Sequence, residues 1–279
     1  MKKIYWLASY PKSGNTWMRI FLTNYMRNSD QPANINNLDT EAIVSSRYQF
    51  DTLAGIPASE MDPEMVDLYR PEIYRLLAAE TKDKRVFIKA HDAHHVNQDG
   101  DPIFPEDVSK GVIYIIRHPF DVAVSFANHN AKSIDKTIQN MNDPEFAFFN
   151  VNDKIRNQLR QKIGTWSDHY LSWTRQKEIP LILIRYEDLL NDPEKTFGKV
   201  VTFCGWELDT DRLQRSIRFS DFNMLKQQEA EHGFHEKSAV SPQFFKYGKA
   251  GTGSTKLSSS QKKELLERHH HVMEACGYS

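Results

Sequence analysis

Four short clusters of polar residues carry whatever chemistry this chain performs. Lys12-Ser13-Gly14-Asn15 is a tight polar turn, followed by Thr16 and Trp17. Lys89-Ala90-His91, Arg117-His118-Pro119 and Arg185-Tyr186-Glu187-Asp188 each end a short apolar run. A lysine, a hydroxyl and a glycine at the start of a helix offer an anion a cation, an O–H and backbone N–H groups. Lys12, Lys89 and Arg117 together suit a ligand bearing several phosphate or sulfate groups. His91 adds a group that titrates near neutrality and can take a proton. Each cluster also has a plainer reading. On it, Arg117 pairs with a carboxylate such as Asp121, His91 is structural, and Glu187 with Asp188 caps a helix and closes a salt bridge.

The elements that must position these clusters follow the order β-α, β, β-α, β-α. Apolar runs at 4–9, 85–89, 112–116 and 181–184 read as buried strands. Trp17, Ile20, Phe21, Asn24 and Tyr25 have the spacing of an amphipathic helix after the first strand. Further helices are expected at 62–80, with Pro71 a kink or a break, and at 119–129. A long one is expected at 154–177, carrying Ile155, Leu159, Ile163, Trp166, Tyr170 and Trp173 on one face. Others follow from 192 to Gly205, at 209–218, at 220–228 and from 259 to 276, with His269 to His271 on a solvated face. The order predicts an α/β chain with a doubly wound, parallel central sheet flanked by helices, in a single domain over 1–279. Ligands of such sheets bind outside the carboxyl ends of the strands, where all four clusters fall.

Composition narrows the partners. The 279 residues carry a net charge of −1, so no bulk basic field favours nucleic acid or an anionic membrane. The longest apolar runs are too short to span a bilayer, and the run after Lys2-Lys3 is too short for a secretory leader. Two cysteines, Cys204 and Cys276, suggest reduced thiols and a cytoplasmic protein. The stretch 92–110 is a polar connection, and 130–153 is polar with scattered apolar residues, notably Phe146, Phe148 and Phe149, and reads as a mobile lid or an excursion.

The lysine of the first turn precedes its glycine, which disfavours the Walker A loop of nucleotide triphosphatases. The wording instead resembles the soluble sulfotransferases that use 3′-phosphoadenosine-5′-phosphosulfate (PAPS), in their bacterial-like branch. In that resemblance Tyr10-Pro-Lys-Ser-Gly-Asn-Thr-Trp17 matches the 5′-phosphosulfate loop, with Asn15 where animal members have Thr. Arg117-His-Pro-Phe-Asp-Val-Ala-Val-Ser125 matches the 3′-phosphate motif through Arg117 and Ser125. Lys89-Ala90-His91 is similar to the element bearing the catalytic histidine, and Tyr186 to a tyrosine near the adenosine. Ser220-Asp221-Phe222 resembles a segment that contacts adenine. Phe245-Lys-Tyr-Gly248 followed by Gly251 resembles a loop returning to the 3′-phosphate, with Lys246 in place of Arg and the following Asp-Trp-Lys absent.

The resemblance implies a P-loop-NTPase-like sulfotransferase fold with PAPS as donor and adenosine 3′,5′-bisphosphate (PAP) as product. It implies that the acceptor is a hydroxyl of a small molecule contacted from 92–110 and 130–153. His91 is then the base, and Lys12 and Lys89 stabilise the transferring group. Lys12, Ser13, Gly14, Asn15, Thr16, Trp17, Arg117, Ser125, Tyr186, Ser220, Phe222, Lys246 and Gly248 hold the nucleotide. No metal is expected, although His91, His94 and His95 have a spacing that hints at one. A kinase-like phosphotransferase and a non-catalytic nucleotide-binding scaffold are the two rival readings.

Overall fold

The computed structural model describes residues 2–41, 43–150, 156–238, 240–241 and 243–278. In chain order its first elements are β1 (Ile4–Ser9), α1 (Asn15–Arg27), α2 (Arg47–Ala54), a 3₁₀ turn, α3 (Pro63–Glu80), β2 (Val86–Ala90) and β3 (Ser109–Ile116). Then come α4 (Pro119–Asn130), α5 (Ile134–Asn142), β4 (Ala147–Phe148), β5 (Gln161–Lys162), α6 (Trp166–Arg175) and β6 (Leu181–Arg185). The chain ends with α7 (Tyr186–Asn191), α8 (Pro193–Phe203), α9 (Thr210–Phe219), α10 (Phe222–His232), α11 (Thr252–Lys256) and α12 (Ser259–Ala275). The main sheet has the strand order β2-β1-β3-β6, and β4 pairs with β5 in a separate two-stranded hairpin. The expected parallel sheet and its four strands are all present.

The chain forms two compact units that interleave in sequence. The first comprises Met1–Tyr10, Glu41–Tyr114 and Asp143–Ile182. In it β1 and β2 run parallel in the register Ile4↔Val86 to Ala8↔Ala90. All six residues of β1 are buried, which is why its sequence is a continuous apolar run with no alternation. Trp6 packs edge-on against Tyr74 and Phe104 and donates its Nε1–H to Ser109 Oγ at 2.7 Å. Arg70, on α3, is buried and donates to Asp92 Oδ1 at 2.8 Å, with Asp67 Oδ1 at 3.3 Å.

The second unit comprises Pro11–Thr40, Ile115–Asn142 and Leu183–Ser279. Phe21 stacks on Phe197 at 3.9 Å between centroids, and Ile20, Ile35, Leu225, Phe234 and Phe245 form a further buried cluster. Helix α12 opens with a capping box of Ser258 and Gln261 and buries Leu265, His269, Val272 and Met273 on one face. His269 therefore lies inside the protein, not on a solvated face: it falls on the same i, i+4, i+7 stripe as Leu265 and Val272.

Three helical expectations need correction. Pro71 does not split off a second helix, since α3 runs continuously through it. The long helix expected at 154–177 is only α6; positions 154 and 155 lie outside the described residues. Gly164, at φ 68°, breaks the spacing, and Thr165 starts α6 by accepting the Asp168 N–H at 3.0 Å. Leu159 and Ile163 are buried, but on extended chain. Finally, α5 occupies part of the stretch expected to be a lid and buries Thr137, Ile138 and Met141.

Arg70→Met leaves Asp92 as a buried charge without its partner. Urea denaturation is expected to show a loss of about 3–5 kcal/mol, the usual cost of breaking a buried pair. Lys2→Ala, which removes the exposed pair with Glu106 at 2.8 Å, is expected to cost less than about 1 kcal/mol.

Candidate functional site

In the second unit the turn after β1 is built from two left-handed positions, Lys12 at φ 70° and Gly14 at φ 114°, on either side of Ser13. Glycine is required at 14 for a second reason. A Cβ there would lie 2.7 Å from Cδ2 of Tyr186. Helix α1 then starts at Asn15 with no side-chain cap and no acid in its first turn, whereas the Asp-capped α3, α8, α9 and α10 satisfy theirs. Ser13 is wholly buried, and its Oγ has no hydrogen-bond partner among the described residues. Asn15 and Thr16 are buried beside it, and Trp17 packs edge-on against Tyr186 and Phe197. The Lys12 ammonium sits 3.7 Å from the ring centroid of Phe244.

Arg117 closes this turn from the end of β3. Its Nη1 donates to the Lys12 carbonyl at 3.3 Å and its Nη2 to the Lys249 carbonyl at 3.1 Å. Its Cζ lies 4.2 Å from the Tyr186 ring centroid, and its buried Nε has no partner among the described residues. Asp121 is 3.6 Å away, too far for a hydrogen bond. The Asp121 oxygens instead accept the N–H groups of Gly251 at 2.9 Å and Gly253 at 2.6 Å. Arg117 and Asp121 still form the buried ion pair of the plainer reading, and Asp121 also holds the glycine loop. In that loop Gly248 (φ 58°) leaves room for Phe222, whose ring would lie 2.4 Å from a Cβ. Thr252 Oγ1 is a further buried oxygen without a hydrogen-bond partner among the described residues.

Other expected nucleotide contacts have defined surroundings. Ser125 is half-buried on α4. The Ser220 hydroxyl donates to the Ser216 carbonyl at 2.8 Å and accepts from Asn24 Nδ2 at 3.4 Å, so its proton is committed within the fold. Lys246 donates to Asn128 Oδ1 at 2.6 Å. Glu187, on α7, accepts from the His118 N–H at 3.0 Å and from the Tyr278 hydroxyl at 2.7 Å, and so ties the Arg117 turn to the chain's end.

In the first unit Lys89 is the fourth residue of β2, opposite Leu7, and His91 follows that strand. His91 Nδ1 lies 2.9 Å from the Ser9 carbonyl oxygen. A carbonyl only accepts, so Nδ1 carries the proton and Nε2 the lone pair. His94 packs against Phe104 and Trp173, and burial, followed by the nearby His95, depresses its pKa to about 4. His95 lies 3.5 Å from Asp67 instead. The three histidines thus face different neighbours, and among the described residues no group of three His, Cys, Asp or Glu is placed to hold a metal ion. The 92–110 stretch contributes wholly buried Ile103 and Phe104 to the core. Phe146, Phe148 and Phe149 form one aromatic group at the β4–β5 hairpin, while 151–153 lie outside the described residues.

A family model described as a sulfotransferase domain matches residues 2–277. The chain belongs to the sulfotransferase family. Sulfotransferase 1B1 of Mus musculus is 23% identical over 235 residues, covering 84% of this chain and 69% of that protein. The mouse sulfotransferase SULT7A1 complexed with PAP superposes with a TM-score of 0.62 at 18% identity, covering 98% of this chain and 85% of that one. Retinol dehydratase, in complex with androsterone and the inactive cofactor PAP, gives 0.63 at 17%, covering 97% and 80%. The sulfotransferase fold, with its P-loop-NTPase-like parallel sheet, is therefore this chain's fold. No described helix is long and apolar enough to cross a membrane.

Sequence reasoning missed several residues of this sulfotransferase. Phe244, under Lys12, carried no signal beyond its aromatic neighbour. Glu229 is buried on α10, and its two oxygens accept the N–H groups of Phe244 at 2.6 Å and Phe245 at 2.9 Å. It reads in sequence as one acid among many. His169 is wholly buried; it donates from Nε2 to the His91 carbonyl at 3.1 Å and accepts the Tyr114 hydroxyl at Nδ1, 2.8 Å away. Burial depresses its pKa to about 4, against the pull of that carbonyl bond.

Two histidines held neutral give a pH dependence of definite sign. Their folded pKa values lie below the ordinary 6.5, so the unfolded chain binds more protons between about 6.5 and 4. Stability is complete above that window and is lost as pH falls through it. Urea midpoints measured at pH 7.5, 6.0 and 5.0 are expected to fall in that order. In His94→Phe the drop from 7.5 to 5.0 is expected to shrink.

Proposed function

We propose that the chain transfers the sulfonate of PAPS to a hydroxyl of a small-molecule acceptor, with His91 as general base. The observation that carries this reading is the buried Ser13 hydroxyl without a partner at the uncapped start of α1. Together with the backbone N–H groups of residues 14–16, it suits a phosphate. The unpartnered Arg117 Nε and Thr252 Oγ1, on a loop held by Asp121, suit a second phosphate at a distance from the first. Two separate phosphates on one nucleoside match PAPS and PAP, and PAP is the nucleotide bound in both structural relatives.

PAPS supplies an activated sulfonate whose bond to the 5′-phosphate oxygen is the one that breaks. The chain's own residues have three tasks. Lys12 and the turn at 13–16 bind the 5′-phosphate and meet the charge that builds on it as the sulfur–oxygen bond lengthens. Arg117, Ser125 and the 246–253 loop hold the 3′-phosphate, with Tyr186 and Phe222 beside the adenosine. Lys89 contacts the transferring sulfonate. His91, protonated at Nδ1, takes the acceptor's proton at Nε2 as the new oxygen–sulfur bond forms. The acceptor class is a hydroxylated small molecule met by the Phe146–Phe149 hairpin.

Thermal-shift titration separates this from a kinase-like reading. PAP at about 100 times its Kd is expected to stabilise the protein by about 2.7 kcal/mol, a rise of roughly 5 °C or more in Tm, while ATP with Mg²⁺ gives far less. With PAPS and a panel of phenolic, steroid and fatty alcohols, His91→Ala is expected to lower kcat by about 10² to 10⁴ while retaining the PAP shift. Arg117→Ala is expected to abolish most of the PAP shift. Full activity in His91→Ala refutes the base, and a normal PAP shift in Arg117→Ala refutes the 3′-phosphate assignment.

A further inference from the structure

The geometry points to His169 as a positioning residue for His91, acting through the backbone and held in its own tautomer by Tyr114. The inference rests on the reading of His91 as the base. His169 Nε2 donates its N–H to the carbonyl of residue 91 at 3.1 Å. Because a carbonyl only accepts, His169 carries its proton on Nε2, and the Tyr114 hydroxyl donates to Nδ1 at 2.8 Å. One tautomer satisfies both bonds; the other breaks both.

Helix α6 repeats the device along one face. One turn after His169, Trp173 donates its Nε1–H to the next carbonyl, Asp92, at 3.0 Å, and Ser172 Oγ accepts the His94 N–H at 2.9 Å. The backbone from 91 to 94 is thus clipped to α6 at three points, and the first clip lands on His91 itself. Its ring is held from the other side by the Ser9 carbonyl at Nδ1. Turning the 91 peptide swings that ring off Ser9, and the tautomer that leaves Nε2 basic loses its support. An apolar side chain of similar size would fill the same space without the desolvation cost of a wholly buried imidazole. The bond to residue 91 is what that cost supports.

The test reads the imidazoles directly by ¹⁵N NMR of the PAP-bound protein and needs no acceptor. Wild-type His91 is expected as a single Nδ1–H tautomer and His169 as a single Nε2–H tautomer. In His169→Phe, His91 is expected to become a mixture of tautomers while the PAP thermal shift is unchanged. With PAPS and 2-naphthol the same variant is expected to lose about 10- to 100-fold in kcat, the scale of an ångström-level misplacement, with KM within about twofold. His169→Gln, which keeps an N–H donor, is expected to recover most of the loss. In a His91→Ala background, His169→Phe is expected to cost less than about twofold further, because the two act as a unit.

A single unchanged His91 tautomer in His169→Phe overturns the proposal, as does a full extra loss in the His91→Ala background. If His169→Phe does not fold, Tyr114→Phe carries the test. It is expected to mix the tautomers of both histidines, and an unchanged His91 again overturns the idea. A silent His169→Phe beside a crippled His91→Ala removes this proposal alone, whereas a fully active His91→Ala removes the base assignment and this proposal with it.

Discussion

One register, Ala8 opposite Ala90 in the parallel pair of β1 and β2, fixes what leaves both strands. Because the strands run the same way, their carboxyl ends emerge together, and Ser9 presents its carbonyl to His91 Nδ1 at 2.9 Å. That contact decides the tautomer and so the chemistry of the ring: a proton fixed at Nδ1 leaves a base at Nε2. The same β1 runs three residues further into Lys12. A slip of one residue would turn every side chain of the strand to the opposite face and pair a different backbone group with the histidine. With both faces of β1 buried, it is the fit of large side chains, such as Trp6 against Tyr74 and Phe104, that opposes such a slip.

The loops at the site are held by close backbone approach. At Gly14, Gly248 and Gly253 a methyl group would meet Tyr186, Phe222 and the Phe120 backbone at 2.7, 2.4 and 2.3 Å. Gly14 and Gly248 also have left-handed φ, so sterics and backbone conformation demand the same residue there. Aromatic rings therefore lie directly on main chain. That packing is stiff, and it keeps Tyr186 against both the 12–16 turn and the Arg117 guanidinium.

Much of this was legible in the sequence because it is local. Strand runs, the Lys12–Trp17 turn, the Arg117 cluster and the Asp-Pro helix starts at 62 and 192 are read within a few residues, and each formed as expected. Failures came where distant contacts decide. The repeat at 155, 159 and 163 looked helical, but Gly164 and the Thr165 cap start the helix later, and the segment before it makes the short hairpin strand β5. The polar stretch after 130 hid α5, whose Ile138 and Met141 are too few to announce a core face yet are buried by α4 and α12. His269 looked like one of three surface histidines until the partners of α12 fixed which face is inward. His169 and Glu229 were invisible for the same reason, since their bonds reach 78 and 15 residues along the chain.

Those long-range bonds also show what some carboxylates of the second unit do in a chain of net charge −1. Three carboxylates in the second unit accept N–H and O–H donors, and one of them, Asp121, also pairs with Arg117. Asp121 holds Gly251 and Gly253, Glu187 holds His118 and Tyr278, and Glu229 holds Phe244 and Phe245. Each bond is charge-assisted and stronger than a neutral one. Each carboxylate fixes an irregular segment that has no ladder or helix to hold it. The consequence is a division of labour. Acids organise the loops from behind, Glu229 sets Phe244 beneath the Lys12 ammonium, and Arg117 is held by carbonyl dipoles, with Asp121 beyond hydrogen-bond distance. Carbonyls orient the guanidinium, while Asp121, paired with it at 3.6 Å and bonded to two N–H groups, offsets part of its charge.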